Sequence, residues 1–131
     1  MQLILAGQSD VLLSKLAGQY LYSSLLRSGV EIYEYQPQIL HAKLFILDDI
    51  VYVGSANLDT RSLHINYELL IRLMKTQLAD EARAIFAKDL KHSQRIHPAA
   101  WQASRTFWRK LKERWAYSIL ATVDPYLARR Q

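Results

Sequence analysis

Apolar residues change their spacing several times along this chain, and each change marks an element. Gln2 to Ala6 (QLILA) is a short apolar run closed by Gly7, the pattern of a buried strand. Leu12, Leu13, Leu16, Tyr20, Leu21 and Leu25 then recur at helical spacing, with Asp10 placed as N-cap and Gly29 as the stop. Val30 to Tyr35 sets Val, Ile and Tyr among Glu31 and Glu34 and reads as a strand broken before Pro37. His41 to Leu47 reads as a strand, Asp48-Asp49 as a turn and Val51 to Val53 as its hairpin partner. Asn66 to Met74 (NYELLIRLM) is another mostly apolar strand. Thr76 is placed to cap a helix with Leu78, Ala82, Ile85, Phe86 and Leu90 inside and Asp80 and Glu81 in its first turns. Pro98 separates that helix from a last one over roughly 99–120.

Strand, helix, strand, hairpin, strand, helix, helix is the order of an α/β (α+β) layered domain, a mixed β-sheet flanked by helices. The 131 residues are enough for one compact domain with its own core. Half of them are apolar (50%), which argues against global disorder. No cysteine is present, so a disulfide framework, a thiolate metal site and a cysteine nucleophile are excluded. No apolar run approaches the roughly 20 residues of a membrane-spanning helix, and MQLILAGQSD has no signal-peptide pattern.

Charge changes this picture. Up to residue 100 the chain carries ten Lys/Arg and ten Asp/Glu, whereas from Trp101 onward seven basic residues face Glu113 and Asp124, so the whole net charge of +5 lies in the tail. Such a tail suits an anionic partner. Trp101, Trp108 and Trp115 recur every seven residues there and join Leu111 and Ile119 in one helical stripe. Two readings follow: a stripe packed on the core, or an interfacial helix flanked by Arg105, Arg109, Lys112 and Arg114. The second makes Trp101, Arg105, Trp108, Arg109 and Lys112 candidate membrane contacts. The sequence thus divides into an α/β domain over 1–97, which holds the candidate catalytic residues named below, and a basic aromatic helical segment over 98–131.

The candidate chemistry sits in HAKLFILDDIVYVGSANLDTRS, residues 41–62. In a strand, positions two apart share a face, so His41 and Lys43 project side by side. That pair suits an anion: the lysine neutralises phosphate oxygens while the histidine attacks phosphorus or donates a proton. Gly54 permits a close turn, so the Ser55 hydroxyl, the Asn57 amide and backbone N–H groups are placed to bind the remaining oxygens. Glu68 on the following strand is placed to hold the far nitrogen of the ring. Fixed donors of this kind stabilise a phosphoryl transition state without a metal or other cofactor. Arg61 is a candidate phosphate contact or a salt-bridge partner of Asp59 or Glu68. His64, His92 and His97 show no metal-ligand spacing.

His41-x-Lys43, Asp48, Gly54-Ser55-x-Asn57 resembles the HKD motif of the phospholipase D superfamily. The stretches SANLDTRSLHINYE and YLYSSLLRSGVEIYEYQP are similar to the second half of bacterial cardiolipin synthases. The resemblance implies a phosphatidyl group carried on His41 as a phosphohistidine, with Lys43, Ser55 and Asn57 on the phosphate, Glu68 behind the histidine and Asp48 in a more structural role. It implies a second HKD half, from another part of a longer enzyme or from a homodimer, and strands before MQLILAG that this chain lacks. It also implies a phosphatidylglycerol-like anionic substrate and peripheral attachment to the cytoplasmic face of a bacterial membrane. Two rivals are a homodimeric nuclease of the same superfamily, which the Asn-Leu-Asp-x-Arg-Ser text argues against, and an inactive membrane-associated module. One departure is visible: the family has six residues between the motif aspartate and glycine, and this chain has five, Asp49 to Val53.

Overall fold

The computed structural model describes residues 1–57 and 66–123. Its elements are β1 (Gln2–Ala6), α1 (Leu12–Arg27), β2 (Glu31–Tyr35), β3 (Leu44–Leu47), β4 (Ile50–Gly54), β5 (Leu70–Leu73), α2 (Thr76–Lys91), β6 (Ser93–Arg95), α3 (Pro98–Ser104) and α4 (Phe107–Ser118), with a π-helical extension at Ile119–Val123. The mixed α/β class is as expected. The strands nevertheless form two three-stranded sheets rather than one, ordered β1-β2-β6 and β3-β4-β5. One strand was not expected: the three polar residues of β6, Ser93 to Arg95, carry no hydrophobic pattern, yet they pair antiparallel with β2. The chain correspondingly divides into two units, Met1–Leu40 with the chain from His92 onward, and His41–Lys91.

In the first unit β1 and β2 run parallel, Gln2 opposite Glu31 through Ala6 opposite Tyr35, and α1 makes the crossover that a parallel pair requires. Tyr22 of α1, Ile32 of β2 and Trp101 of α3 form the buried cluster, with Leu5, Leu25, Leu26, Val30 and Ile96 around it. Asp10 does not cap α1: the N-cap position is Val11, whose N–H reaches the Ser9 hydroxyl at 3.2 Å. The other end behaves as its glycine predicts. Gly29 takes φ 78, and the Gly29 and Val30 amides return to the Leu26 and Leu25 carbonyls at 3.1 and 3.0 Å, a Schellman cap.

The second unit is a β3-β4-β5 meander with α2 against it, built on Val51, Ala79 and Ala82 and surrounded by Leu44, Ile46, Val53 and Leu73. The helix phase follows the sequence reading in the main: Ala82 is buried and Leu78, Phe86 and Leu90 are half-buried, whereas Ile85 is exposed and Ala79, not expected inside, is fully buried. The predicted final helix is also two helices. Pro98 opens α3, the chain extends at Arg105 and Thr106, and the Thr106 side chain caps α4 by accepting the Arg109 N–H at 3.3 Å. No seven-residue stripe therefore runs from Trp101 to Trp115.

Candidate active site

The β3–β4 hairpin sets the register of the motif. Leu44 pairs with Val53 and Leu47 with Ile50, leaving a two-residue turn at Asp48-Asp49 in which Asp48 takes φ 51. A positive φ at the first turn position suits the right-handed twist of a hairpin, and aspartate tolerates it. The missing residue of the motif is thus absorbed in a tight turn. Pairing at the other end survives: Gly54 N–H donates to the Lys43 carbonyl at 3.4 Å, which holds the Gly-Ser turn opposite the lysine.

His41 and Lys43 precede β3 rather than lying within it. Their alternation still brings the side chains together, with Lys43 Nζ 2.7 Å from His41 Nε2. An ammonium can only donate, so this contact uses the Nε2 lone pair as acceptor. That lone pair is the one a nucleophilic imidazole needs. His41 is exposed and Lys43 half-buried, so both are open to a ligand.

Gly54 has to be glycine. A Cβ there would stand 1.9 Å from the Leu69 carbonyl oxygen, because β5 approaches β4 at this point. Ser55 then closes the pair of strands: its N–H donates to Leu69 O at 3.0 Å and its hydroxyl accepts the Leu69 N–H at 3.1 Å. The same hydroxyl donates to Glu68 Oε2 at 2.5 Å, while Glu68 Oε1 accepts from the Asn66 amide at 3.3 Å. Glu68 thus hydrogen-bonds both Ser55 and Asn66, beside the Gly-Ser turn. Asn57 is exposed just beyond the buried Ala56. Asp59, Arg61 and His64 lie outside the described residues.

Asp48 sits at the far end of the hairpin. Five residue steps of extended chain separate it from Lys43, about 16 Å, and its partner is structural: its backbone carbonyl accepts Arg83 Nη2 at 2.6 Å. The same guanidinium reaches Asp49 Oδ1 at 3.0 Å and Asp80 Oδ1 at 2.8 Å. Asp49, ahead of Asp80, raises its pKa further above the ordinary arginine range. Arg83 was not singled out by sequence, since a contact 35 residues away leaves no local pattern.

The candidate membrane contacts separate. Trp101 is buried against Tyr22 with ring centroids 5.1 Å apart, and its indole N–H donates to Ser23 at 3.3 Å. Arg105 is interior too, paired with the fully buried Glu113, which also accepts Arg109 Nε at 3.2 Å. These two belong to the core, where an aromatic and a paired charge replace contact with a lipid. Trp108 and Lys112 remain exposed, and Arg109 is intermediate. Sequence reading missed Glu113, although an acid four residues after Arg109 and eight after Arg105 in a basic run was the available signal.

Comparison with known proteins adds to this geometry. The family model described as "Cardiolipin synthase, PLD-like domain" matches residues 1–90. Cardiolipin synthase 1 of Bacillus anthracis is 33% identical over 127 residues, 96% of this chain and 24% of that protein. Cardiolipin synthase A of Buchnera aphidicola subsp. Baizongia pistaciae is 33% identical over 118 residues, 89% of this chain and 24% of that protein. The enzyme of that name from Serratia proteamaculans is 30% identical over 116 residues, 88% and 24%. The chain thus spans about a quarter of the length of these relatives. No solved structure gives a significant match.

Proposed function

The chain belongs to the phospholipase D-like domain family of cardiolipin synthases, and from that premise we propose that it is one catalytic half of a phosphatidyltransferase working through a phosphohistidine. The observation that carries this is the His41 Nε2 lone pair held 2.7 Å from the Lys43 ammonium. A lipid phosphate entering there draws the ammonium onto its own oxygens and leaves Nε2 free beside phosphorus.

In this reading Nε2 attacks the phosphorus of a phosphatidylglycerol-like donor and the bond from phosphorus to the departing glycerol oxygen breaks. That oxygen takes a proton from a second motif histidine, supplied by another half or another copy of the chain. The same group then removes the proton of a second lipid's hydroxyl, whose oxygen attacks phosphorus and releases His41. Lys43, Ser55 and Asn57 spread the charge on the phosphate. Glu68 acts one step back, supporting His41 and orienting the Ser55 hydroxyl. Asp48 shapes the hairpin. Among the described residues no helix is long and apolar enough to cross a membrane, and the proposed setting is peripheral, on the cytoplasmic face of a bacterial membrane.

The test is to incubate the purified chain with phosphatidylglycerol dispersed in detergent, quench, and look by mass spectrometry for the phosphatidyl adduct on His41. Its mass in solution is measured alongside. An adduct lost in His41→Ala, formed by a dimer, supports a site shared by two copies. A monomer that turns over only with an added second half supports a partner half. Full transfer activity in His41→Ala would sink the assignment.

A further inference from the structure

A groove of about 460 Å³ runs between the start of α1 and the start of α4, and none of its residues belongs to the motif. Its apolar wall is Leu12, Leu16 and Trp108, and its charged wall is Lys15, Arg109 and Lys112. Among the described residues no carboxylate lines it. Glu113 behind it is fully buried and shared by Arg105 and Arg109, two guanidinium groups for one carboxylate, so a positive charge is left over. Arg105 is the interior member of the pair, with its side chain 9% exposed, whereas Arg109, at 36%, stands at the groove. Arg109 is held in place by Glu113 and by Gln19 Oε1 at 3.4 Å, and Lys15 by the Gly7 carbonyl at 2.5 Å. Both cations are thereby pre-positioned with N–H donors to spare.

The surface beside the groove is apolar where a soluble protein would have little reason for it. Trp108, Leu111 and Trp115 follow at three- and four-residue spacing along the exposed face of α4, and Trp108 is 70% and Leu12 68% exposed. A small soluble anion needs only the cations. Single-stranded nucleic acid would use the indoles for stacking but has no use for Leu12, Leu16 and Leu111, which offer no π-face. An acidic phospholipid uses all of them, phosphate on the cations and acyl chain along the leucines and Trp108.

We infer that this groove docks one acidic phospholipid of a bilayer, with the phosphate between Lys15, Arg109 and Lys112 and the hydrocarbon against Leu12, Leu16 and Trp108. The inference rests on the membrane setting proposed above and not on the phosphohistidine chemistry. It makes the groove an anchor that is occupied whether or not a substrate is turning over.

The experiment is flotation of the full 131-residue chain with phosphatidylcholine vesicles, with and without phosphatidylglycerol. Lys112→Glu and Trp108→Ser are compared, both being exposed positions whose folding is checked by circular dichroism. Binding to the phosphatidylglycerol vesicles is expected, with each variant weakening it roughly ten-fold. Undiminished binding by both variants would overturn the groove and leave the membrane setting standing. No binding to any vesicle by the unaltered chain would overturn both. Displacement by soluble glycerol phosphate, with Trp108→Ser silent, would make this a plain anion site and overturn the lipid assignment. Displacement by a single-stranded oligonucleotide at far lower concentration would do the same. Transfer by His41 is assayed in detergent, so a failure there is read separately.

Discussion

The Ser55 hydroxyl donates to Glu68 Oε2 at 2.5 Å while accepting the Leu69 N–H at 3.1 Å, so a single side chain ties the end of β4 to the chain entering β5. The motif serine in this chain is a joint before it is a ligand. It fixes the backbone from which Asn57 departs and keeps Glu68 close to the Gly-Ser turn.

Ser55→Ala removes both bonds and leaves the Leu69 N–H without the acceptor it has in the fold. A loss of about 1–2 kcal/mol in unfolding free energy is expected, read as a lower urea midpoint with the slope unchanged. Ser55→Thr keeps the hydroxyl and is expected to recover most of it. A midpoint unmoved by Ser55→Ala would show the joint to be dispensable.

The two-residue turn makes a conformational demand rather than a chemical one. Asp48 holds φ 51 and is gripped through its backbone carbonyl. Asp48→Asn and Asp48→Gly are expected within about 0.5 kcal/mol of the original, and Asp48→Val is expected to cost about 1–2 kcal/mol from the left-handed backbone. Thermal unfolding of the three variants checks this. If Asn proves as damaging as Val, the carboxylate itself matters. Arg83→Ala should speed amide exchange in the β3–β4 hairpin while leaving the β1–β2 amides unchanged.

Glu113 is fully buried between Arg105 and Arg109. Glu113→Gln leaves the interior Arg105 without a counter-charge, and a loss of about 3–5 kcal/mol is expected. Pairing Glu113→Leu with Arg105→Met removes both charges and is expected to be less harmful than Glu113→Gln alone. The stability order of these variants in urea decides it; the reverse order would mean that water reaches the pair.

Burial, and then the Glu34 carboxylate accepting its hydroxyl at 3.1 Å, push the Tyr22 phenol well above its ordinary range. In the unfolded chain that phenol loses its proton near pH 10, whereas in the fold it keeps it. The contribution is complete below about pH 10 and shrinks as pH rises beyond it, by up to ~1.4 kcal/mol per pH unit. Tyr22→Phe should therefore flatten the fall of stability between about pH 10 and 11.5. An unchanged slope would mean that Tyr22 ionises freely in the folded protein.

Much of the site was legible because it is local. Residues two apart on an extended backbone share a side, so His41 and Lys43 meet even though the strand starts three residues later than its pattern suggests. Gly54 and Gly29 announce a close approach and a left-handed cap, the first because a Cβ would strike the Leu69 carbonyl and the second because glycine takes a positive φ at no steric cost. The neighbours of Glu68 and Asp48 were not legible. Glu68 meets Ser55, thirteen residues back, and the Asp48 carbonyl meets Arg83, thirty-five on, and contacts at such separation depend on register and helix phase.

By itself, then, the sequence determined the mixed α/β class, the order of most elements, the hairpin at Asp48-Asp49 and the pairing of His41 with Lys43, all written in spacings of two to four residues or in the backbone needs of glycine. Tertiary structure alone decided that β6 takes the free edge of β2, that Trp101 and Arg105 turn inward while Trp108 and Lys112 face out, and that Glu113 lies buried between two arginines. Those outcomes depend on which surfaces meet. A polar three-residue strand is stabilised by backbone pairing that any sequence can offer, and a buried carboxylate is tolerable only where distant parts of the chain bring its cations to it.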